Sequence, residues 1–189
     1  MQYWKVKRIA RFWLNHILER LGLKRTDAHW GGYWEIRHLD RFGNVLWEDA
    51  GRNMLHDEGE EYILSCAFDE VQSPPANFYI GLDNRSSLAE ADTLASLVDE
   101  SSTNGYARQA VASDNTDITI SQVSGDYQAK TKTVTFSASG GSWGPVTKIF
   151  WCTSADSSGK LIASKALSQS RTLSDGESLE CSFYIRLSE

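Results

Sequence analysis

From Gly105 onward the chain is cut into short apolar runs by polar turns, and this punctuation constrains the fold more than any other feature. Strand-like runs recur at 106–111, 118–123, 131–137, 146–153, 161–167 and 179–187. Between them lie Asp114-Asn115, Ser124-Gly125-Asp126, residues 139–142, residues 155–159 and Ser174-Asp175-Gly176. Asp, Asn, Ser and Gly supply the tight, left-handed or side-chain-capped conformations that reverse a chain. Thr133, Thr135 and Ser137 alternate with Val134, Phe136 and Ala138, the period of a half-buried strand. The last run alternates Cys181, Phe183, Ile185 and Leu187 against Ser182, Tyr184 and Arg186. Many short strands with regular turns predict a mainly β protein, an antiparallel β-sandwich of Ig-like or jelly-roll-like type.

Upstream the texture is mixed. Phe78-Tyr79-Ile80-Gly81-Leu82 reads as a strand that follows the breaker Ser73-Pro74-Pro75. Residues 30–49 read as a β-hairpin turning at Arg41-Phe42-Gly43-Asn44. Two helical insertions are predicted. One spans about 54–68, with Leu55, Tyr62, Ile63, Cys66 and Ala67 as its buried stripe and Asp57, Glu58, Glu60 and Glu61 near its positive end. The other spans about 88–98, where Ser87 and Glu90 make a capping-box pattern and Ala91, Leu94, Ala95 and Val98 suit an inner face.

Charge separates the N-terminus from the rest. Residues 1–25 carry seven Lys/Arg and one acid, a net +6, whereas the other 164 residues carry 12 basic and 24 acidic groups, a net −12. Val6, Ile9, Ala10, Trp13, Leu14, Ile17 and Leu21 recur at helical spacing, opposite Lys7, Arg8, Arg11 and Glu19. Residues 1–28 are therefore predicted as an amphipathic anchor helix that binds a partner through Val6, Ile9, Trp13, Leu14, Ile17 and Leu21, with packing on its own domain and an interfacial membrane helix as the other readings of the same pattern. Trp4, Phe12 and Leu18 interrupt the polar face, so such a helix needs more than one neighbour. The β-sandwich domain is assigned to 29–189. No run of about 18 apolar residues is present, so no membrane span is expected. An acidic body argues against nucleic acid as the main partner.

Catalytic chemistry finds little support. The histidines stand at 16, 29, 38 and 56 with no Ser/His/Asp order, and His56-Asp57-Glu58 lacks the spacing that puts two metal ligands on one helical face. Glu58, Glu60, Glu61 and Asp69 are the carboxylates that could pair for glycoside hydrolysis, but acids at a helix start are ordinary dipole partners. Asp83, Asn84, Asp92 and Asp99 do not follow a calcium-loop spacing and read as caps and turn ligands. Cys66, Cys152 and Cys181 form no ligand motif, although Cys152 and Cys181 lie in strand-like runs that could face each other. No cofactor, metal or catalytic residue is assigned. Trp30, Tyr33, Trp34 and Trp47 offer a possible aromatic platform for a host-surface glycan.

Several short motifs occur in a distinctive order: YIGL at 79–82, ADTLAS at 91–96, YARQA at 106–110, WGPVTKI at 143–149, GKLIAS at 159–164 and DGESL at 175–179. Together they resemble tailed-bacteriophage minor virion or tail fibre-type structural proteins, over about residues 45–189. The resemblance implies a non-enzymatic virion component assembled in the bacterial host cytoplasm. Its partners would be other virion proteins (tail, portal/connector or capsid) and, in a homo-oligomer, copies of itself. A tail fibre or tail-appendage/adaptor subunit is the leading reading. A capsid head decoration or vertex protein is the alternative, and a carbohydrate-binding module for host attachment is the second alternative. The family has no catalytic residues to carry over.

Overall fold

The computed structural model describes residues 29–188, apart from 70, 86 and 98. The predicted anchor helix, with Val6, Ile9, Trp13, Leu14, Ile17 and Leu21, lies outside the described residues. The chain enters as β1 (His29–Leu39), reverses, and returns as β2 (Val45–Arg52). The reversal is built by Asp40, whose carboxylate accepts the Phe42 and Asn44 amides at 2.8 Å each, and by Gly43 at φ +83°. This is the expected hairpin.

The next segment departs from expectation. Met54 and Leu55 form a two-residue strand, β3 (Met54–Leu55), rather than the first turn of a helix. The Asn53 amide bonds the Gly32 carbonyl and the His56 amide bonds Ile162, so sheet pairing holds this backbone extended. The helix α1 (Asp57–Leu64) starts only after it and opens into a π turn over Ser65–Asp69. Tyr62 is buried as predicted, but Ala67 is exposed.

Nine further elements complete the fold. They are β4 (Asn77–Asp83), a single 3-10 turn at Leu94–Ser96, β5 (Gln109–Ala112), β6 (Ile118–Val123), β7 (Asp126–Thr131), β8 (Val134–Ser137), β9 (Trp143–Cys152), β10 (Leu161–Leu173) and β11 (Ser178–Ser188). The second predicted helix is absent among the described residues of 88–98. Leu94 and Leu97 still turn inward, but from a loop. The Ser87/Glu90 box gives way to a Thr93/Ser96 box on the 3-10 turn.

Two antiparallel sheets result. One runs β2-β1-β11-β7-β6, with β8 taking over from β7 along β11; the other runs β3-β10-β9-β4-β5. Their facing sides share a core of Trp34, Ile36, Ile80, Leu82, Val134, Phe136, Ile149, Trp151 and Phe183. Across it Trp151 meets Phe183 edge-on at 4.2 Å between centroids, and within the six-stranded sheet Trp34 meets its cross-strand partner Phe183 at 4.7 Å. The five-stranded sheet is covered on its other side too. There Leu94 and Leu97 from the 84–108 loop pack on Phe150, Cys152 and Leu161. Burial on both faces explains why Ile149-Phe150-Trp151-Cys152 and Leu161-Ile162-Ala163 are continuous apolar runs rather than alternating ones.

Candidate assembly surfaces

Among the described residues, most of the groups that could serve chemistry hold parts of the fold together. The His56 ring is fully buried; its Nδ1 faces the Glu90 carbonyl at 3.2 Å and its Nε2 faces the Ser164 hydroxyl at 2.8 Å. The carbonyl only accepts, so Nδ1 carries the proton and Ser164 donates to Nε2. The pair has the connectivity of a nucleophile and its base, yet both side chains are buried, His56 at 0% and Ser164 at 2% exposed. Burial pushes the His56 pKa down. His38 is also buried. Arg171 donates to its Nδ1, leaving Nε2 to donate to Glu177 at 3.2 Å, and burial followed by the Arg171 charge lowers its pKa.

The carboxylates are occupied likewise. One oxygen of Glu58, Oε2, accepts the Leu94 and Leu161 amides, both at 2.9 Å. Glu61 is exposed and reaches only Lys160, at 3.8 Å. Asp69 caps the Val71 amide. Asp83 is buried, accepts the Arg85 amide and pairs with its guanidinium at 3.2 Å, while burial raises its pKa. Asp92 caps the Ala89 amide at 2.7 Å. Among the described residues no group of three or more His, Cys, Asp or Glu is placed to hold a metal ion. All three cysteines are free; Cys181 lies in the core between the sheets and Cys152 on the outer face of its sheet, so the two do not face each other. Burial moves the Cys152 thiol up to about 11, away from reactivity.

The proposed glycan platform is not assembled. Trp34 is 0% exposed. Neighbours on a strand point to opposite faces, so Tyr33 is on the outside, stacked on Tyr184 at 5.4 Å. Trp47 pairs across the hairpin with His38 on the inner face, beneath the Arg171 guanidinium at 5.3 Å. The Trp30 side chain lies outside the described residues.

What the surface does offer is apolar area in three places. The β1–β2 tip presents Phe42, 82% exposed, with Val45 and Leu46. The end of α1 presents Leu64, Phe68 and Val71 beside exposed Glu60, Glu61 and Asp69. The β6–β7 hairpin presents Ile120, 72% exposed, and Tyr127. By contrast, the outer face of the six-stranded sheet is polar and internally paired, Arg37 with Glu180 at 2.7 Å and Lys130 with Glu35 at 2.6 Å. Sequence reasoning did not single out these three patches. Their signal was a large apolar residue within a turn, at Phe42 and Phe68, or inside a short uncharged strand, at Ile120.

This surface fits assembly better than catalysis, and comparison with known proteins agrees. A family model described as podophage GP4 fiber I protein gp80 matches residues 55–185. The chain belongs to this family. It is a tail fibre-type structural protein of a tailed phage, with the virion as its place of work. No curated protein matches it. The match starts in β3 and ends in β11, so the β1–β2 hairpin and the basic N-terminus of this fibre protein lie outside the matched range.

Proposed function

We propose that the chain is a tail fibre or tail-appendage/adaptor subunit with a sandwich-type β body of the Ig-like or jelly-roll-like kind, anchored to another virion protein by residues 1–28. The observation that carries this reading is the division of the chain. The fibre-family match covers residues 55–185 of an acidic β body, and it stops short of an apolar, basic N-terminal segment. A stripe of Val6, Ile9, Trp13, Leu14, Ile17 and Leu21 would bring on the order of 10 kcal/mol of apolar burial to an interface before ordering costs. Repetition around a symmetric tail multiplies that hold. The exposed apolar patches on the hairpin tip and at the end of α1 support contacts with sibling copies or neighbouring virion proteins. The subunit would fold in the host cytoplasm and join a preformed particle.

The test is incorporation. Particles assembled with a chain lacking residues 1–22 should lose the subunit, while the purified truncated body keeps its β-sheet circular dichroism. Wild-type particles imaged by electron cryomicroscopy should show the subunit on the tail or a fibre. Undiminished incorporation of the truncated chain refutes the anchor. Density on the capsid lattice moves the protein to head decoration.

A further inference from the structure

At one end of the six-stranded sheet, residues on its core-facing side are left exposed. Register assigns one face to Trp34, Phe183 and Thr131, all buried, and the same face continues as Gly32, Ile185, Ala129 and Ile120. On β1 the face stays covered, since Gly32 is buried against Asn53, but burial runs out along β11, β7 and β6. Phe183 is fully buried and Ile185 partly; Thr131 is buried, Ala129 partly, and Tyr127 is exposed; Ile118 is partly buried and Ile120 is 72% exposed. The β6–β7 hairpin therefore carries core-facing residues beyond the edge of the second sheet. Its outer strand, Ile118-Thr119-Ile120-Ser121-Gln122-Val123, has no charge, proline or register shift. Those are devices that normally protect a free edge, so β6 is open along its edge as well as on this face.

One segment of the chain is placed to supply a cover. His29 opens β1 opposite Ser188, at the end of the sheet where β11 finishes and where β6 and β7 turn at Ser124-Gly125. Residues 1–28 therefore join the sheet beside the uncovered face. From β1 to β6 is three inter-strand steps, roughly 14 Å. As a helix, 28 residues would span about 40 Å, so reach is not limiting. Their apolar stripe has the chemistry the face lacks, and Trp4, Phe12 and Leu18 on the other side leave apolar surface for a second neighbour.

We propose that in the free subunit residues 1–25 dock in cis on the face formed by Ile120, Tyr127, Ala129 and Ile185. This goes beyond the anchor reading, because it gives the same segment a resting place before assembly. The test uses the full-length protein with Tyr127 replaced by p-benzoylphenylalanine and irradiated at low concentration. Cross-linked peptides joining position 127 to residues 1–25, at monomer mass, are expected. The same probe at Phe42, at the far end of the sheet, should give none. Trp13→Asp with Leu14→Asp should lower the yield by at least ~10-fold, since burial of two large apolar side chains is lost. Cross-links at dimer mass, or none to residues 1–25, overturn the proposal. The incorporation assay is read separately. Loss of the cross-link with incorporation still dependent on residues 1–22 leaves the anchor standing, and the reverse pattern removes the anchor alone.

Discussion

Removal of the Glu58 side chain should release the 84–100 loop from the body. Glu58 lies in the first turn of α1, a position that suggests an exposed dipole partner. Instead its Oε2 accepts the Leu94 and Leu161 amides, and both of those residues are fully buried. In Glu58→Ala two amide donors lose their acceptor in surroundings that exclude water. A buried donor left unpaired costs about 1–3 kcal/mol, so about 2–6 kcal/mol in all is expected, with up to ~1 more from the helix dipole. Glu58→Gln keeps an acceptor oxygen of the same reach and loses only charge and some hydrogen-bond strength, so it should cost about 1–1.5 kcal/mol. Urea unfolding gives the totals, and amide exchange shows where the effect lies. The Leu94 amide should lose protection in Glu58→Ala well before global unfolding, while the Ile149 amide in the core should not. Equal losses in the Ala and Gln variants, or a loss below ~1 kcal/mol in Glu58→Ala, would refute the reasoning.

Two other expectations follow from close contacts and burial. Gly59→Ala should destabilise although alanine is the better helix former by about 1 kcal/mol, because a Cβ at this position would lie 2.3 Å from the Ile162 carbonyl oxygen and 2.7 Å from its Cα. Backbone cannot step aside as a side chain can, so α1 must lift from β10, and a lower denaturation midpoint is the readout. Stability should also fall as pH drops from 7 towards 5. His38 and His56 are held neutral with lowered pKa, whereas in the unfolded chain they protonate near the ordinary 6.5. Below that value the unfolded state binds protons that the fold does not, at up to about 1.4 kcal/mol per pH unit for each group. The double variant His38→Gln, His56→Gln should flatten this slope, and an unchanged slope would show that these rings do not cause it.

Strand parity was the most legible signal. Val134, Phe136 and Ala138 are buried and Thr133, Thr135 and Ser137 exposed, as their alternation requires. The same rule applied to Tyr33 and Trp34 separates the two, since neighbours on a strand cannot share a face, so a four-residue aromatic platform was already in tension with its own hairpin. β7 was not predicted because the alternation in Asp-Tyr-Gln-Ala-Lys-Thr rests on only Tyr127 and Ala129; it is a strand through its pairing with β6 and β11, which no local pattern records. The positive φ of Ser124 and Gly125 makes the two-residue turn that lets it form.

The 84–108 loop shows why the remainder was hidden. Ala91, Leu94, Ala95 and Val98 have helical spacing, and an isolated peptide would satisfy its amides by coiling. Here the amides find other partners: Leu94 bonds Glu58, and Asn84 bonds the Asp99 carbonyl. Arg108 then clamps the loop. Its guanidinium lies over the Phe150 ring at 5.2 Å, is paired with Glu100, and donates to the Ser154 carbonyl at 2.9 Å. Each of these bonds joins residues distant in sequence, so the spacing that suggests a helix carries no information about them. The same principle governs function. Ser164 and His56 resemble a catalytic pair in connectivity, and only their burial shows that they join α1 to β10 instead of meeting a substrate. With that pair buried in the body, the surface best suited to recognition is the exposed apolar area. In a fibre subunit that is the area available for neighbours in the particle.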